Sequence, residues 1–170
     1  MLKKTLVSSL MMGVLLVTST VFLVSKQVVA DDDDGENHGS KHVYSATLPV
    51  WKTECGECHI AYPPQLLPAA SWQKMMGSLD EHFGTDASLD ADVIAEILPF
   101  LEKNAGSERK YAAATGKSDM RITETRWFIK EHDEVSASTW KRIDSPANCA
   151  ACHTTAEQGN YDEDFIKIPR

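Results

Sequence analysis

The stretch that decides the fold is Cys55-Gly56-Glu57-Cys58-His59, and the same Cys-x-x-Cys-His pattern returns as Cys149-Ala150-Ala151-Cys152-His153. The two motifs use all four cysteines of the 170-residue chain. This pattern is the attachment signature of c-type haem, because two thiols one helical turn apart can bond the two vinyl groups along one porphyrin edge. The adjacent imidazole then binds iron. We therefore expect two haem c groups, attached through Cys55, Cys58, Cys149 and Cys152, with His59 and His153 as axial ligands.

Paired Cys-x-x-Cys segments have two other common uses, and both fit less well. An all-cysteine zinc site usually separates its pairs by about 15 to 20 residues, and the gap between Cys58 and Cys149 is far larger. A thiol redox motif needs a βαβ context and no histidine after its second cysteine. Haem attachment is the favoured interpretation.

Residues 1–30 have the layout of a secretory signal peptide. Lys3 and Lys4 precede an apolar run from Leu6 to about Val24, and small residues ending at Ala30 precede an acidic stretch. We expect cleavage after Ala30; an uncleaved anchor is the alternative, since a membrane span needs about 20 apolar residues. Export agrees with c-type haem, which is attached on the outer face of the bacterial inner membrane. The predicted location is the periplasm of a Gram-negative bacterium, with no membrane span after cleavage.

The chain after Ala30 is strongly acidic. Residues 1–30 contain three lysines and no acidic residue, so the remainder holds 14 basic and 25 acidic residues, a formal charge of −11. This charge argues against nucleic acid or anionic membrane as a partner and favours a basic or neutral docking face. Residues 31–42 lack apolar periodicity and are expected to form an acidic flexible leader.

Apolar periodicity predicts a mainly α-helical fold with little or no β-sheet. We expect an N-terminal c-type haem domain at 43–105, a linker at 106–119 and a C-terminal c-type haem domain at 120–170. In the first domain, Ser71 is expected to cap one amphipathic helix. A second should start after Ser88 or Asp90.

Prolines and aromatic residues suggest where other helices bend or begin. Pro99 should kink the second amphipathic helix or end its regular hydrogen bonding. In the second domain, a helix is predicted from Ile122 to Lys130. Ser145-Pro146 is predicted to start the helical turn that carries the second motif.

Each iron needs a further ligand on its other face. For the first haem, His82 is favoured because it lies just before the second amphipathic helix, where the distal ligand enters a monohaem cytochrome c fold. Met75 or Met76 is the next choice, since methionines there also suit core packing. His42 is the third choice.

For the second haem, His132 is favoured, because it precedes the second motif by roughly as far as His82 follows the first. Met120 and an open site are the alternatives. His38 is left unassigned.

The chain resembles the periplasmic dihaem cytochromes c of the DHC type from about Val43 onward. The matching residues are Cys55–Pro64, Leu67-Pro68-Ala69, Ser71-Trp72, His82-Phe83-Gly84, Asp86–Leu89, Arg121–Thr125, His132 and the second haem motif. The resemblance implies a class-I-cytochrome-c-like N-terminal domain, a smaller and less regular α-helical C-terminal domain, and two low-spin haems with histidine on both faces.

The resemblance also implies a function. Family members pass electrons to an oxygen-binding monohaem cytochrome c, often alongside a membrane cytochrome b. Histidine on both faces leaves no open iron site and lacks the thioether that raises the potential of His/Met cytochromes. We therefore expect a low-potential electron carrier that is not an enzyme, relaying electrons from a membrane cytochrome b or quinol pool to a soluble haem protein. The alternatives are a haem enzyme or gas-binding protein with one open or labile site, and a dihaem subunit of a periplasmic reductase.

Overall fold

The computed structural model describes residues 42–170, which belong to one compact unit. The predicted signal peptide, the leader up to residue 41 and His38 lie outside the described residues. The six α-helices of the described part are α1 (Pro49–Glu54), α2 (Ala69–Met76), α3 (Ala91–Lys103), α4 (Glu108–Tyr111), α5 (Arg126–Glu131) and α6 (Ala137–Arg142). Short 3-10 turns connect them, and within 42–170 extended segments meet only in isolated bridges. The predicted mainly α fold without a sheet is confirmed.

The main hydrophobic core lies in the first half of this unit, where α1, α2 and α3 meet. Leu67 and Ile97 are fully buried, and Leu101 is 1% exposed. The indole N–H of Trp72 donates to the Pro64 carbonyl oxygen at 2.7 Å, so this ring is buried without leaving its donor unpaired. The buried members of the cluster are Trp51, Leu67, Trp72, Met76, Ile97 and Leu101.

The boundaries of α2 and α3 test two sequence predictions. Helix α3 begins immediately after Asp90, as predicted, and continues through Pro99 to Lys103. The prediction that Ser71 caps α2 is wrong, because α2 already begins at Ala69 with Pro68 in the cap position. Proline supplies no side-chain acceptor but fixes an extended backbone there, and this places Ser71 inside the first turn, where it is buried.

In the second half, α5 and α6 are short helices that are each started by a hydroxyl side chain. The Thr125 hydroxyl accepts the Phe128 N–H at 3.1 Å and starts α5. The Ser136 hydroxyl accepts the Thr139 N–H at 3.2 Å and starts α6, a helix that the sequence analysis did not predict. The single helix predicted over 122–130 is wrong, because Thr125 is extended and separates a 3-10 turn at 122–124 from α5.

The predicted helix start at Ser145-Pro146 is also wrong. The Ser145 hydroxyl does accept a backbone N–H, that of Ala147 at 3.1 Å, but only a turn follows. The second motif then forms a short 3-10 turn, Cys149–Ala151. A serine-proline pair therefore starts a local turn here without enough apolar periodicity behind it to extend an α-helix.

The ends of the described chain meet. The Tyr44 N–H donates to the Gly159 carbonyl oxygen at 2.8 Å, and the Tyr161 N–H donates to the His42 carbonyl oxygen at 2.8 Å. The segment expected to be a linker, 106–119, contains α4 with its buried Tyr111. A Cβ atom at Gly106 would lie 2.1 Å from the Gln65 carbonyl oxygen, so this close approach requires glycine. The domain boundaries stay a prediction.

None of the helices between residues 42 and 170 is long and apolar enough to cross a bilayer.

Candidate haem sites

The first motif follows directly from the end of α1. The N–H of Cys55 donates to the Trp51 carbonyl oxygen at 3.0 Å, so the first thiol is fixed by the last helical turn and is half-buried. Cys58 and His59 follow on an exposed turn. Nδ1 of His59 lies 2.7 Å from the Ile60 carbonyl oxygen. With its proton on Nδ1, His59 donates this bond and leaves Nε2 as the metal-binding nitrogen.

The structure brings His82 to the first motif. The ring centroids of His59 and His82 are 6.2 Å apart, with an interplanar angle of 27°. When an imidazole nitrogen binds a metal at about 2 Å, two imidazoles on opposite sides of one ion have centroids about 6 Å apart. The separation of these two rings therefore suits a single ion between them.

The second motif is held by a 3-10 turn instead of a helix end. The N–H of His153 donates to the Cys149 carbonyl oxygen at 2.8 Å. His132 ends α5, and its Nδ1 lies 2.9 Å from the Phe128 carbonyl oxygen, which leaves Nε2 available to a metal. The ring centroids of His132 and His153 are 6.1 Å apart, at an interplanar angle of 69°. The second motif thus has a histidine partner at almost the same distance as the first.

The pKa values of the cysteine thiols help to distinguish haem attachment from a thiol redox role. Burial, with a smaller effect from Glu54, raises the pKa of Cys55 to about 11. Burial is also the main cause that raises the pKa of Cys149 to about 11. Redox-active thiols have lowered pKa values, so these two do not resemble a thioredoxin-type pair. Within residues 42–170, no three His, Cys, Asp or Glu side chains gather as a metal site of the zinc-knuckle kind.

The surroundings of three candidate ligand histidines favour the neutral form of the ring. Burial lowers the pKa of His82, with further lowering by His59 and Arg121. Burial also lowers the pKa of His132, although its bond to Phe128 opposes the shift. The pKa of His153 falls to about 4 because of burial and then the neighbouring His132 and His42. A neutral imidazole is the form that binds metal.

The alternative ligands lie in other places. Met76 is buried in the main core and Met75 packs against the same cluster. His42, the third choice for the first haem, lies beside the second pair instead: its ring centroid is 6.2 Å from that of Trp127, and its charge helps to lower the pKa of His153. Met120 is half-buried, with its N–H 3.3 Å from the Ser118 hydroxyl.

Several features fit haem at these positions. Near the second pair, the Trp127 indole N–H, the Tyr161 hydroxyl and Nδ1 of His153 are buried without a hydrogen-bond partner among the described residues. Such groups are costly unless something pairs with them, and the carboxylates of a haem can accept bonds from an indole or a phenol. A cavity of about 650 Å³ adjoins Cys58 and His59 and reaches residues 156–159, just after the second motif. Its volume is typical of cofactor pockets.

Aromatic side chains that follow the two motifs contact the motif histidines, and one of them connects the two sites. The Tyr62 ring stacks on His59 with centroids 4.6 Å apart, and its hydroxyl donates to the Ala147 carbonyl oxygen at 2.6 Å. The Tyr161 ring lies 5.2 Å from that of His153. The sequence spacing does not predict these contacts, because Tyr62 follows its histidine by three positions and Tyr161 follows its own by eight. Their only signal is an aromatic residue soon after each motif.

Two Cys-x-x-Cys-His motifs in one small helical unit, each with a second histidine at metal-bridging distance, define the class of c-type cytochromes with two haems. Comparison with known proteins identifies the family. The profile of DHC, dihaem cytochrome c, matches residues 51–161, and the chain belongs to this family. It therefore has two haem c groups, and its family is one of electron-transfer proteins.

Solved structures agree with this assignment. A diheme cytochrome c from Rhodobacter sphaeroides is 41% identical, covers 69% of this chain and 98% of its own, and superposes with a TM-score of 0.62. The diheme cytochrome type c sb-DHC from Shewanella baltica OS155 is 37% identical, covers 71% of this chain and 91% of its own, with a TM-score of 0.61. No curated protein sequence matches significantly.

Proposed function

We propose that this protein is a closed electron carrier in which histidine binds both faces of each haem iron. His59 and His82 would hold the first haem, and His153 and His132 the second. The observation that supports this proposal is the pair of ring-centroid separations, 6.2 Å and 6.1 Å. Two separate histidine pairs at nearly one distance, each containing the histidine of a Cys-x-x-Cys-His motif, suit the same kind of ligation.

Backbone carbonyl oxygens explain how two of the ligand histidines are oriented. Those of Ile60 and Phe128 lie within hydrogen-bond distance of Nδ1 on His59 and His132, so Nε2 of each ring would be the nitrogen that binds iron. Burial favours the neutral form of His82, His132 and His153. When bound, each haem supplies one-electron chemistry. With imidazoles on both faces, no position would be left for a substrate, and the absence of a thioether ligand would keep the potential low.

Carbon monoxide tests this proposal. Added to the dithionite-reduced protein, it should leave the Soret band unchanged, because it needs an open ferrous site. A prompt and complete shift at one haem would replace the proposal with the alternative of an enzyme or gas-binding protein. A monohaem His/Met cytochrome c serves as the closed control and myoglobin as the open one.

We also propose that the protein works in the periplasm of a Gram-negative bacterium. The supports are the signal-like segment 1–30 and the bacterial relatives. A membrane cytochrome b or quinol pool would donate electrons, and an oxygen-binding monohaem cytochrome c would accept them. Mass spectrometry of the haem-loaded protein after expression in such a host should find its N-terminus at Asp31. A mass that includes residues 1–30 would support the uncleaved anchor.

A further inference from the structure

The turn that carries His82 contains an aromatic residue in an unfavourable backbone conformation. Phe83 has φ 53° and Gly84 has φ 93°, and the Thr85 N–H donates to the His82 carbonyl oxygen at 3.1 Å. Positive φ at both central residues defines a type I′ turn, whose first central position favours asparagine, aspartate or glycine. A bulky residue with positive φ is uncommon and persists only where its surroundings hold it. Phe83 is therefore retained against the local preference of the turn.

Two contacts hold the Phe83 ring. It lies 4.8 Å, centroid to centroid, from the ring of His82. The guanidinium carbon of Arg121 lies 4.0 Å from the Phe83 centroid, well within the range of a cation–π contact. Phe83 itself is 43% exposed, so core packing does not explain its position. The Phe83 ring thus contacts both an arginine and the candidate iron ligand.

Arg121 reaches this ring from the second half of the chain. Its neighbour Ile122 packs against the main core of the first half. Two residues before Arg121, Asp119 forms an ion pair with Lys74 of α2. The backbone around Arg121 is thus attached to the first half on both sides, and this explains how a long, exposed side chain keeps one position over Phe83.

We propose that Arg121 and Phe83 form a clasp that holds His82 in place on the first haem. Arg121 is a positioning residue: it presses Phe83 against the imidazole ring and, through the turn, limits the movement of His82 away from the metal. The clasp also makes the first haem depend on a residue from the second half. The inference rests on the proposed ligation by His82.

Cyanide binding to the oxidised protein measures the clasp, because cyanide enters only when a histidine ligand leaves. The phase that belongs to the first haem is identified with His82→Ala, which should make it immediate. Phe83→Asn suits the type I′ turn, so its melting temperature should equal or exceed that of the wild type. It should nevertheless speed cyanide binding at the first haem by about two- to fivefold, the size expected on losing an exposed cation–π contact.

Arg121→Gln should accelerate the same phase to the same extent, while Arg109→Gln, which removes an exposed charge elsewhere, should leave it unchanged. The double variant Phe83→Asn/Arg121→Gln should be no faster than either single variant, because each already breaks the same contact. Unchanged or slower cyanide binding in a folded Phe83→Asn protein would overturn the clasp, as would additive effects in the double variant. If His82→Ala changed neither phase, the ligation proposal would fail instead.

Discussion

The two haem motifs are supported by different kinds of structure. The first follows an α-helix and adjoins the core formed by α1, α2 and α3, yet its His59 is exposed. The second lies in a 3-10 turn with few buried aliphatic side chains around it, yet its His153 is half-buried among aromatic rings. A strong core and a well-shielded ligand are therefore separate properties of these sites. The first site has the core, and the second has the shielding.

The largest expected effect concerns the need for haem. Because the second half lacks a core like that of the first, Cys149→Ala with Cys152→Ala should remove the second haem and unfold α5 and α6. Cys55→Ala with Cys58→Ala should leave α2 and α3 largely protected, since Ile97 and Leu67 remain buried between them. Hydrogen exchange followed by mass spectrometry measures both. Equal loss of protection across the two halves in both variants would contradict this difference.

The core of the first half should be sensitive to a single truncation. Ile97 is fully buried, so Ile97→Ala should lower the free energy of unfolding by about 2 to 5 kcal/mol. Ile129, which is 44% exposed, provides the matched control, and Ile129→Ala should stay within about 0.5 kcal/mol. Guanidinium unfolding of the haem-loaded variants gives both values. Similar losses at the two positions would mean that α3 does not form the stabilising core.

Acid should test how well the second site is shielded from protonation. A lowered pKa means that the folded site resists protonation, whereas the unfolded chain takes up a proton near the ordinary histidine value of 6.5. The contribution of His153 to stability is therefore present above about 6.5 and is lost as the pH falls towards about 4. The second haem should therefore stay low-spin until the pH falls well below 6.5.

Absorbance in the high-spin charge-transfer region, recorded between pH 7 and pH 3, should show this transition. The variants that retain only one haem identify which transition belongs to which site. A second haem that is already high-spin near pH 6.5 would show that burial does not protect His153.

The smallest expected effect is on the connection between the halves. Tyr62→Phe removes one hydrogen bond, from the hydroxyl to the Ala147 carbonyl oxygen, and keeps the ring that stacks on His59. We expect a loss of about 1 kcal/mol in the free energy of unfolding and no change in the absorption spectrum. A spectral change would mean that the hydroxyl itself influences ligation.

Much of this organisation was predictable from residues that carry local chemistry. The motifs predicted two haem c groups, which the family confirms, and Asp90, one of the two predicted start positions, precedes α3. Ser71 and Ser145 misled for different reasons: α2 already begins two residues before Ser71, after Pro68, and only a turn follows Ser145. At both positions, the neighbouring residues determine where the helix or turn begins. The Arg121 contact with Phe83 could not be predicted, because it joins residues far apart in sequence and obeys no period.

Replacing His82 and His132 singly by methionine tests the central claim most directly. Near-infrared spectra of the oxidised proteins distinguish His/His from His/Met ligation. Each variant should gain a His/Met charge-transfer band at one haem only, and the potential of that haem should rise by on the order of 0.1 V, since a thioether ligand raises it. If neither variant changes the spectrum or the potential, His82 and His132 are not the iron ligands and the account of a closed dihaem carrier is contradicted.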